Sequence, residues 1–167
     1  MLLAIDPGLT GCGWALWEGD LVAAGFVPTE TSAREPARWG TVARRVLTDV
    51  PLLPDKVVVE TMRTYTQGKS DPADLFALQG LAGALLGLAQ GWGMETDGYL
   101  AATWKGQVPR DVMGARVEKE IAQRGWEERI RWPSRKTWRN DVCHAVALAK
   151  FAATDSTRFC GAKGLDG

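Results

Sequence analysis

The chain has 167 residues, which is enough for one domain with a hydrophobic core of its own. Its 20 basic and 20 acidic side chains cancel, so the overall charge argues neither for nor against a nucleic-acid partner, and only local clusters are informative. Three cysteines are an odd and sparse set without metal-ligand spacing, which favours a reducing, intracellular setting over a disulfide framework.

The first part of the chain predicts three strands, a helix and a fourth strand. Residues 2–6, 11–17 and 20–27 are short apolar runs, and the turn between the last two predicts an antiparallel hairpin. Residues 34–48 carry apolar side chains at helical spacing, which predicts a helix. Residues 56–60 predict another buried strand, and like the first it ends in an acid.

The second part begins with a polar, basic segment, 61–70, which indicates a loop. An apolar helix rich in Gly, Ala and Leu follows over 71–90, and we expect it to be a buried helix rather than a membrane span, because a span needs about 20 mostly apolar residues. The later elements are a strand at 93–98, a short helix at 99–105, a helix at 110–124 and a helix from about Asn140 to about Ala153.

This order of strands and helices predicts one α/β domain built on a central sheet. We assign residues 1–153 to that domain and expect residues 154–167 to be a flexible C-terminal tail, because they are small and polar. We expect no membrane association.

Two predicted strands end in carboxylates, Asp6 and Glu60, and a third carboxylate, Asp141, opens the last helix. His144, the one histidine of the chain, lies three positions after Asp141 and therefore shares a helix face with it. Acids that are close together repel one another unless a cation lies among them, and Mg²⁺ prefers oxygen ligands. Taken singly, each acid could be a turn, cap or surface charge and the histidine a structural one; their joint order favours a metal site.

Four stretches resemble the RuvC-type Holliday junction endonucleases. They are AIDPGLTGCGWAL from residue 4, VVVET from residue 57, NDVCHAVALA from residue 140 and YLAATWKGQVP from residue 99, the last being most similar to phage-borne members. The resemblance implies an RNase H-like fold, with a mixed five-stranded sheet flanked by helices. It also implies a homodimer, Mg²⁺-dependent cutting of four-way DNA junctions, and a place in the cytoplasm, that of the host cell if the gene is phage-borne.

The resemblance implies a two-metal site, with Mn²⁺ as a substitute for Mg²⁺ and no other small-molecule cofactor. We expect Asp6 to be the ligand shared by both ions, Glu60 to hold one ion, and Asp141 with His144 to hold the other. The four-carboxylate version of the family has an Asp where this chain has His144, which could bind metal or help to deliver the attacking water. The glycines after Asp6 are expected to leave space for metal, water and phosphate.

The resemblance also indicates residues that would contact DNA. Lys105 matches a family lysine near the scissile phosphate, and Arg110 falls near a second basic position. The loop after Glu60 contains Tyr65 and Lys69 and would reach the junction centre; otherwise it is simply a polar loop. A basic cluster interleaved with Trp132 and Trp138 precedes Asp141, and its members are Arg131, Arg135, Lys136 and Arg139. These would neutralise phosphates, while the tryptophans stack or belong to the core.

The helix over 71–90 is the expected dimer surface, although one apolar side of it must pack on the core. Three rival functions stay open. An actin-like small-molecule phosphotransferase would bind phosphate at DPGLTGCG, but it needs a second domain and leaves NDVCHAVALA without a role. A non-enzymatic junction-binding protein would be expected to have a damaged acid set, and here the set is complete. A nuclease of the same fold could act on RNA–DNA hybrids or single strands.

Overall fold

The computed structural model describes residues 1–29, 36–62 and 71–161, except for the side chains of Ala37 and of residues 156–161. These residues form five strands, five α-helices and two one-turn 3-10 helices. The strands are β1 (Leu2–Gly8), β2 (Gly11–Trp17), β3 (Leu21–Pro28), β4 (Lys56–Thr61) and β5 (Glu95–Leu100). The helices are α1 (Trp39–Asp49), α2 (Pro72–Gly91), α3 (Ala101–Trp104), α4 (Arg110–Arg124) and α5 (Lys136–Gly161). The 3-10 helices are Pro36–Arg38 and Glu127–Arg129.

The strands form one sheet in the order β3-β2-β1-β4-β5. The first three strands pair antiparallel, and the predicted hairpin is formed by β2 and β3. The strands β4 and β5 run parallel to β1, because a helix connects each of them back to the same end of the sheet. The prediction of a mixed five-stranded sheet flanked by helices is therefore confirmed.

The side chains of β1 alternate between two cores. Leu3 and Ile5 face α1 and α2, whereas Leu2 and Ala4 face α5. The same alternation holds in β4, where Val58 belongs to the α5 side. Since side chains of a strand alternate between its two faces, the next residue after Ala4 on the α5 side is Asp6.

Several element boundaries differ from the sequence prediction, most clearly those of the last strand and the last helix. The last strand begins at Glu95 rather than 93, because Gly93 has a left-handed φ of 84° and the Met94 amide still donates to the Ala89 carbonyl, so the end of α2 extends to that point. The last helix begins at Lys136 rather than near Asn140 and continues to Gly161 rather than ending near Ala153. The flexible character expected of residues 154–167 stays a prediction.

Helix α2 packs on α1 and β4 through the buried residues Ala77, Leu81, Ala82, Leu85 and Ala89. By length and composition α2 could cross a membrane, but core helices of soluble proteins meet the same criterion. In this structure 28% of the most apolar stretch of α2 is buried. At Gly80 a Cβ would overlap the Trp39 ring, which explains the close approach of α1. At Gly83 and Gly87 no described atom lies within 4 Å of the Cβ position, so this side of α2 faces outward.

The end of the sheet at which β1 begins holds an open cavity of about 850 Å³ with apolar walls from Leu2, Trp17 and Tyr99. Its polar lining is mainly acidic and includes Glu18, Asp55, Glu95, Asp97 and Asp155. Two of these acids are neutralised locally, Asp55 by the chain's amino terminus and Glu95 by Lys56. This acidic end lies opposite the strand ends that carry Asp6 and Glu60.

Candidate active site

Asp6 and Glu60 lie side by side on the α5 face of the sheet. Ala4 pairs with Val58 and Ile5 with Val59 in the parallel register of β1 and β4, so the two acids follow at the same level. Both are almost fully buried, at 1% and 2% exposure. A buried pair of adjacent carboxylates is unfavourable without positive charge nearby, which marks this point of the sheet as chemically unusual.

Helix α5 reaches the two acids because Gly13 stands opposite Asp6 on the neighbouring strand β2. A Cβ at Gly13 would lie 2.1 Å from the Asp141 carbonyl oxygen, so only glycine admits the helix backbone here. The space that the sequence assigned to metal, water and phosphate is, at Gly13, filled by α5. The result is that Asp141 and His144 are placed directly above the strand ends.

His144 is fully buried and makes a contact through each ring nitrogen. Its Nε2 lies 3.1 Å from the Arg110 carbonyl oxygen, and its Nδ1 lies 3.4 Å from Asp6 Oδ2. Because a carbonyl can only accept, Nε2 must carry the hydrogen, and in the neutral ring Nδ1 then presents a lone pair to Asp6. The Arg110 main chain thus selects the tautomer whose free nitrogen faces the acids.

The ligand atoms of Asp6, Glu60 and His144 all lie within 4.8 Å of one another. Three of their polar atoms, Asp6 Oδ1, Glu60 Oε2 and His144 Nδ1, are buried and have no hydrogen-bond partner among the described residues. Unpaired buried acceptors are costly, and a cation that ligates all of them removes that cost. These residues therefore fit a divalent metal ion.

Two of the clustered acids have raised pKa values. Burial, and then the neighbouring Asp6 charge, raise the pKa of Asp141 to about 7, although Arg110 opposes the shift. Burial and Asp6 also raise the pKa of Glu60, against the opposing effect of Lys105. Perturbed carboxyls in one cluster are typical of functional sites.

Asp141 is grouped differently from the sequence expectation. The sequence predicts that Asp141 and His144 hold one ion. In the structure the ligand atoms of His144 lie with those of Asp6 and Glu60, whereas Asp141 contacts the Arg110 guanidinium. How the four residues divide between two ions stays a prediction. Side chains three positions apart on a helix point in directions about 60° apart and are offset by about 4.5 Å along the helix axis. Asp141 and His144 can therefore face neighbouring ligand positions. The same guanidinium lies 3.4 Å from Asp6 Oδ2.

Lys105, which the sequence predicts near the scissile phosphate, lies beside Glu60. Its Nζ is 3.4 Å from Glu60 Oε1, and its side chain is 14% exposed. The ammonium group also lies 5.1 Å from the Trp104 ring, and that ring meets His144 edge-on at 5.8 Å. Sequence reasoning missed Trp104, and the available signal was its place immediately before Lys105.

The predicted basic cluster lies on the surface beside the start of α5, where Arg131, Arg135, Lys136 and Arg139 are all exposed. Two of its arginines cover aromatic rings: Arg135 lies 4.5 Å from Trp138, and Arg139 lies 5.6 Å from Trp132. Trp138 in turn stacks on Phe26 at 4.7 Å.

Trp138 also donates to Thr10 Oγ1 in the turn after β1. Both tryptophans are half-buried. Trp132 packs against the core on the α5 side of the sheet, and Trp138 stacks on Phe26, while the other side of each ring meets an arginine. Tyr65 and Lys69 lie outside the described residues.

No family model matches the sequence, and no curated protein matches it. Solved structures do match. Thermus thermophilus RuvC has 20% sequence identity and a TM-score of 0.58, and the match covers 93% of this chain and 96% of that one. The T. thermophilus RuvC in complex with Holliday junction substrate has 23% identity and a TM-score of 0.60, with 94% and 95% covered. The yeast mitochondrial Holliday junction resolvase Ydc2 has 12% identity and a TM-score of 0.53, with 89% and 75% covered.

These likenesses extend over nearly the whole chain. They show that it has the RuvC fold, which is RNase H-like, and they confirm the predicted fold class. A shared fold does not by itself transfer an activity, so the function must be argued from the site.

Proposed function

We propose that this chain is a metal-dependent endonuclease that hydrolyses phosphodiester bonds in four-way DNA junctions. The observation that carries the proposal is the set of three unpaired, buried ligand atoms on Asp6, Glu60 and His144. Asp6 and Glu60 lie at adjacent strand ends of a RuvC fold, and His144 faces them from α5. One of the matched structures is a complex with Holliday junction substrate.

Asp6, Glu60 and His144 would hold a divalent ion, and Asp141 would contribute to a second position next to Asp6. Divalent ions at such sites polarise the phosphate and lower the pKa of the attacking water. Carboxylates suit Mg²⁺, while the imidazole nitrogen is a softer ligand, so we expect Mn²⁺ to support the reaction as well. Lys105, beside Glu60, would neutralise charge on the scissile phosphate.

The exposed arginines at the start of α5 would hold the DNA next to the metal centre. Stacking on Trp138 and Trp132 restricts the guanidinium groups of Arg135 and Arg139, so less freedom is lost when they bind phosphates. Such contacts fix the position of the duplex and carry no sequence preference of their own.

We further propose that the protein acts as a homodimer through the outward side of α2. A four-way junction presents two equivalent cuts, and a twofold dimer supplies two matched sites. The support is the apolar composition of α2 together with its low burial, and the open space at Gly83 and Gly87 that would let a second backbone approach.

The first test is cleavage of a labelled four-way junction with and without Mg²⁺, with linear duplex, RNA–DNA hybrid and single-stranded DNA as competing substrates. We expect Asp6→Asn to reduce the cleavage rate by at least about 10³-fold and to leave junction binding intact, because the amide keeps the shape but removes the ligand charge. The matched control is Asp49→Asn, which changes an exposed acid on α1.

A rate for Asp6→Asn above a tenth of wild type would contradict the assignment of Asp6. If the hybrid or the single strand is cleaved faster than the junction, the proposed nuclease activity is supported but the proposed substrate is wrong. Absence of metal-dependent cleavage of all four substrates would overturn the proposed activity.

A further inference from the structure

Arg110 touches the metal centre in two separate ways. Its carbonyl oxygen accepts from His144 Nε2 and so fixes the free nitrogen of that ligand. Its guanidinium contacts Asp141 and lies 3.4 Å from Asp6. As the first residue of α4, with 51% of its side chain exposed, it can move its head group without disturbing the helix.

The described charges of the centre divide into two halves. Asp6, Glu60 and His144 form one half, where the unpaired ligand atoms lie. The other half is the gap between Asp6 and Asp141, and a positive group already lies there. The charge of one divalent ion, together with those of Arg110 and Lys105, exceeds the negative charge of the three carboxylates. Binding of a second divalent ion is therefore weak until a phosphate adds negative charge.

We propose that the Arg110 guanidinium occupies the second cation position of the DNA-free site, so that the free protein holds a single divalent ion at Asp6, Glu60 and His144. Transfer of the guanidinium to a DNA phosphate vacates the gap between Asp6 and Asp141 and admits the second ion. This second step rests on the proposed function; the first concerns the free protein alone. Junction binding and loading of the second ion then strengthen each other to the same extent.

The test counts Mn²⁺ bound to the DNA-free protein by electron paramagnetic resonance and by titration calorimetry at about pH 8. We expect one ion for wild type and two for Arg110→Gln, with the second site strengthened at least about tenfold. The double variant Arg110→Gln/Asp141→Asn should return to one ion. Arg116→Gln, which removes an exposed charge from the same helix, is the matched control and should bind one ion.

A second readout is thermal stability. Removal of Arg110 leaves the acids less neutralised, so Arg110→Gln should melt lower without metal and gain more from saturating Mn²⁺ than wild type does. Two ions of similar affinity in wild type, or one ion in Arg110→Gln, would overturn the inference even if the junction is cut. If wild type binds one ion and Arg110→Gln binds two, the inference is upheld even if the protein cuts no junction. In that case only the proposed function is wrong.

Discussion

The surroundings of Asp141 strongly disfavour its negative charge. Its pKa is raised to about 7 in the folded chain, whereas an unfolded Asp titrates near about 3.9. Between these values the folded state retains a proton that the unfolded state releases. The contribution of Asp141 to the free energy of unfolding therefore falls as pH rises from about 4 to about 7 and is constant above that range.

This predicts that Asp141→Asn stabilises the metal-free protein at pH 8, by on the order of 2 kcal/mol, because the neutral amide avoids the charge that the site disfavours. Near pH 4 the two proteins should have similar stability. Urea unfolding in EDTA at both pH values measures the difference, with Asp49→Asn as the control. A variant that is less stable than wild type at pH 8 would show that the Arg110 contact outweighs burial.

At the scale of residues, strand ends and helix spacing were enough to predict that Asp6, Glu60, Asp141 and His144 come together. Which of these side chains lie nearest to one another was not predictable. It depends on the position of α5 relative to the sheet, and helical spacing alone does not give that position. Arg110 was predicted as a DNA contact, but its contact with Asp141 joins residues 31 positions apart and is visible only in three dimensions.

At the scale of elements, α5 carries half of the centre, and its position depends on a glycine in another element. Gly13 admits the α5 backbone at Asp141, and Gly80 admits Trp39 between α1 and α2 in the same manner. The sequence showed these glycines but not their partners. The sequence predicted each helix and strand, and its errors lie mainly at element ends. The left-handed Gly93 delays the start of β5, and the stacking of Trp138 on Phe26 accompanies the earlier start of α5.

Helix α2 supports a sharp test of the proposed dimer. Gly83→Glu places a charge on its outward side without a clash, since no described atom lies within 4 Å of the new Cβ. We expect wild type to sediment as a dimer at micromolar concentration and Gly83→Glu to sediment as a folded monomer.

Gly40→Glu on α1 has equally open surroundings and serves as the control, which should stay dimeric. A wild-type monomer, or a Gly83→Glu dimer, would contradict the use of this surface.

At the scale of the whole molecule, a net charge of zero conceals a local basic surface. We predict that junction affinity falls steeply with salt, because each arginine that meets a phosphate releases a bound counterion. Replacing the stacked Arg135 with Gln should lower the slope of log affinity against log salt by about one.

Arg44→Gln on α1, on the far side of the sheet, should leave that slope unchanged. Fluorescence anisotropy over a range of salt concentrations measures both slopes. An affinity that does not depend on salt would exclude the basic surface as the DNA contact.

The acidic end of the sheet and the basic surface at the start of α5 separate charge along the neutral molecule, as a dipole does. Arg131, Arg135, Lys136 and Arg139 lie towards the metal centre, while Glu18, Asp97 and Asp155 lie around the cavity at the opposite end. A dipole turns in the field of a polyanion even when the molecule carries no net charge. On the proposed function, an approaching DNA would rotate the protein so that its candidate metal centre leads, before any side chain touches a phosphate, and fewer encounters would be lost to the wrong orientation.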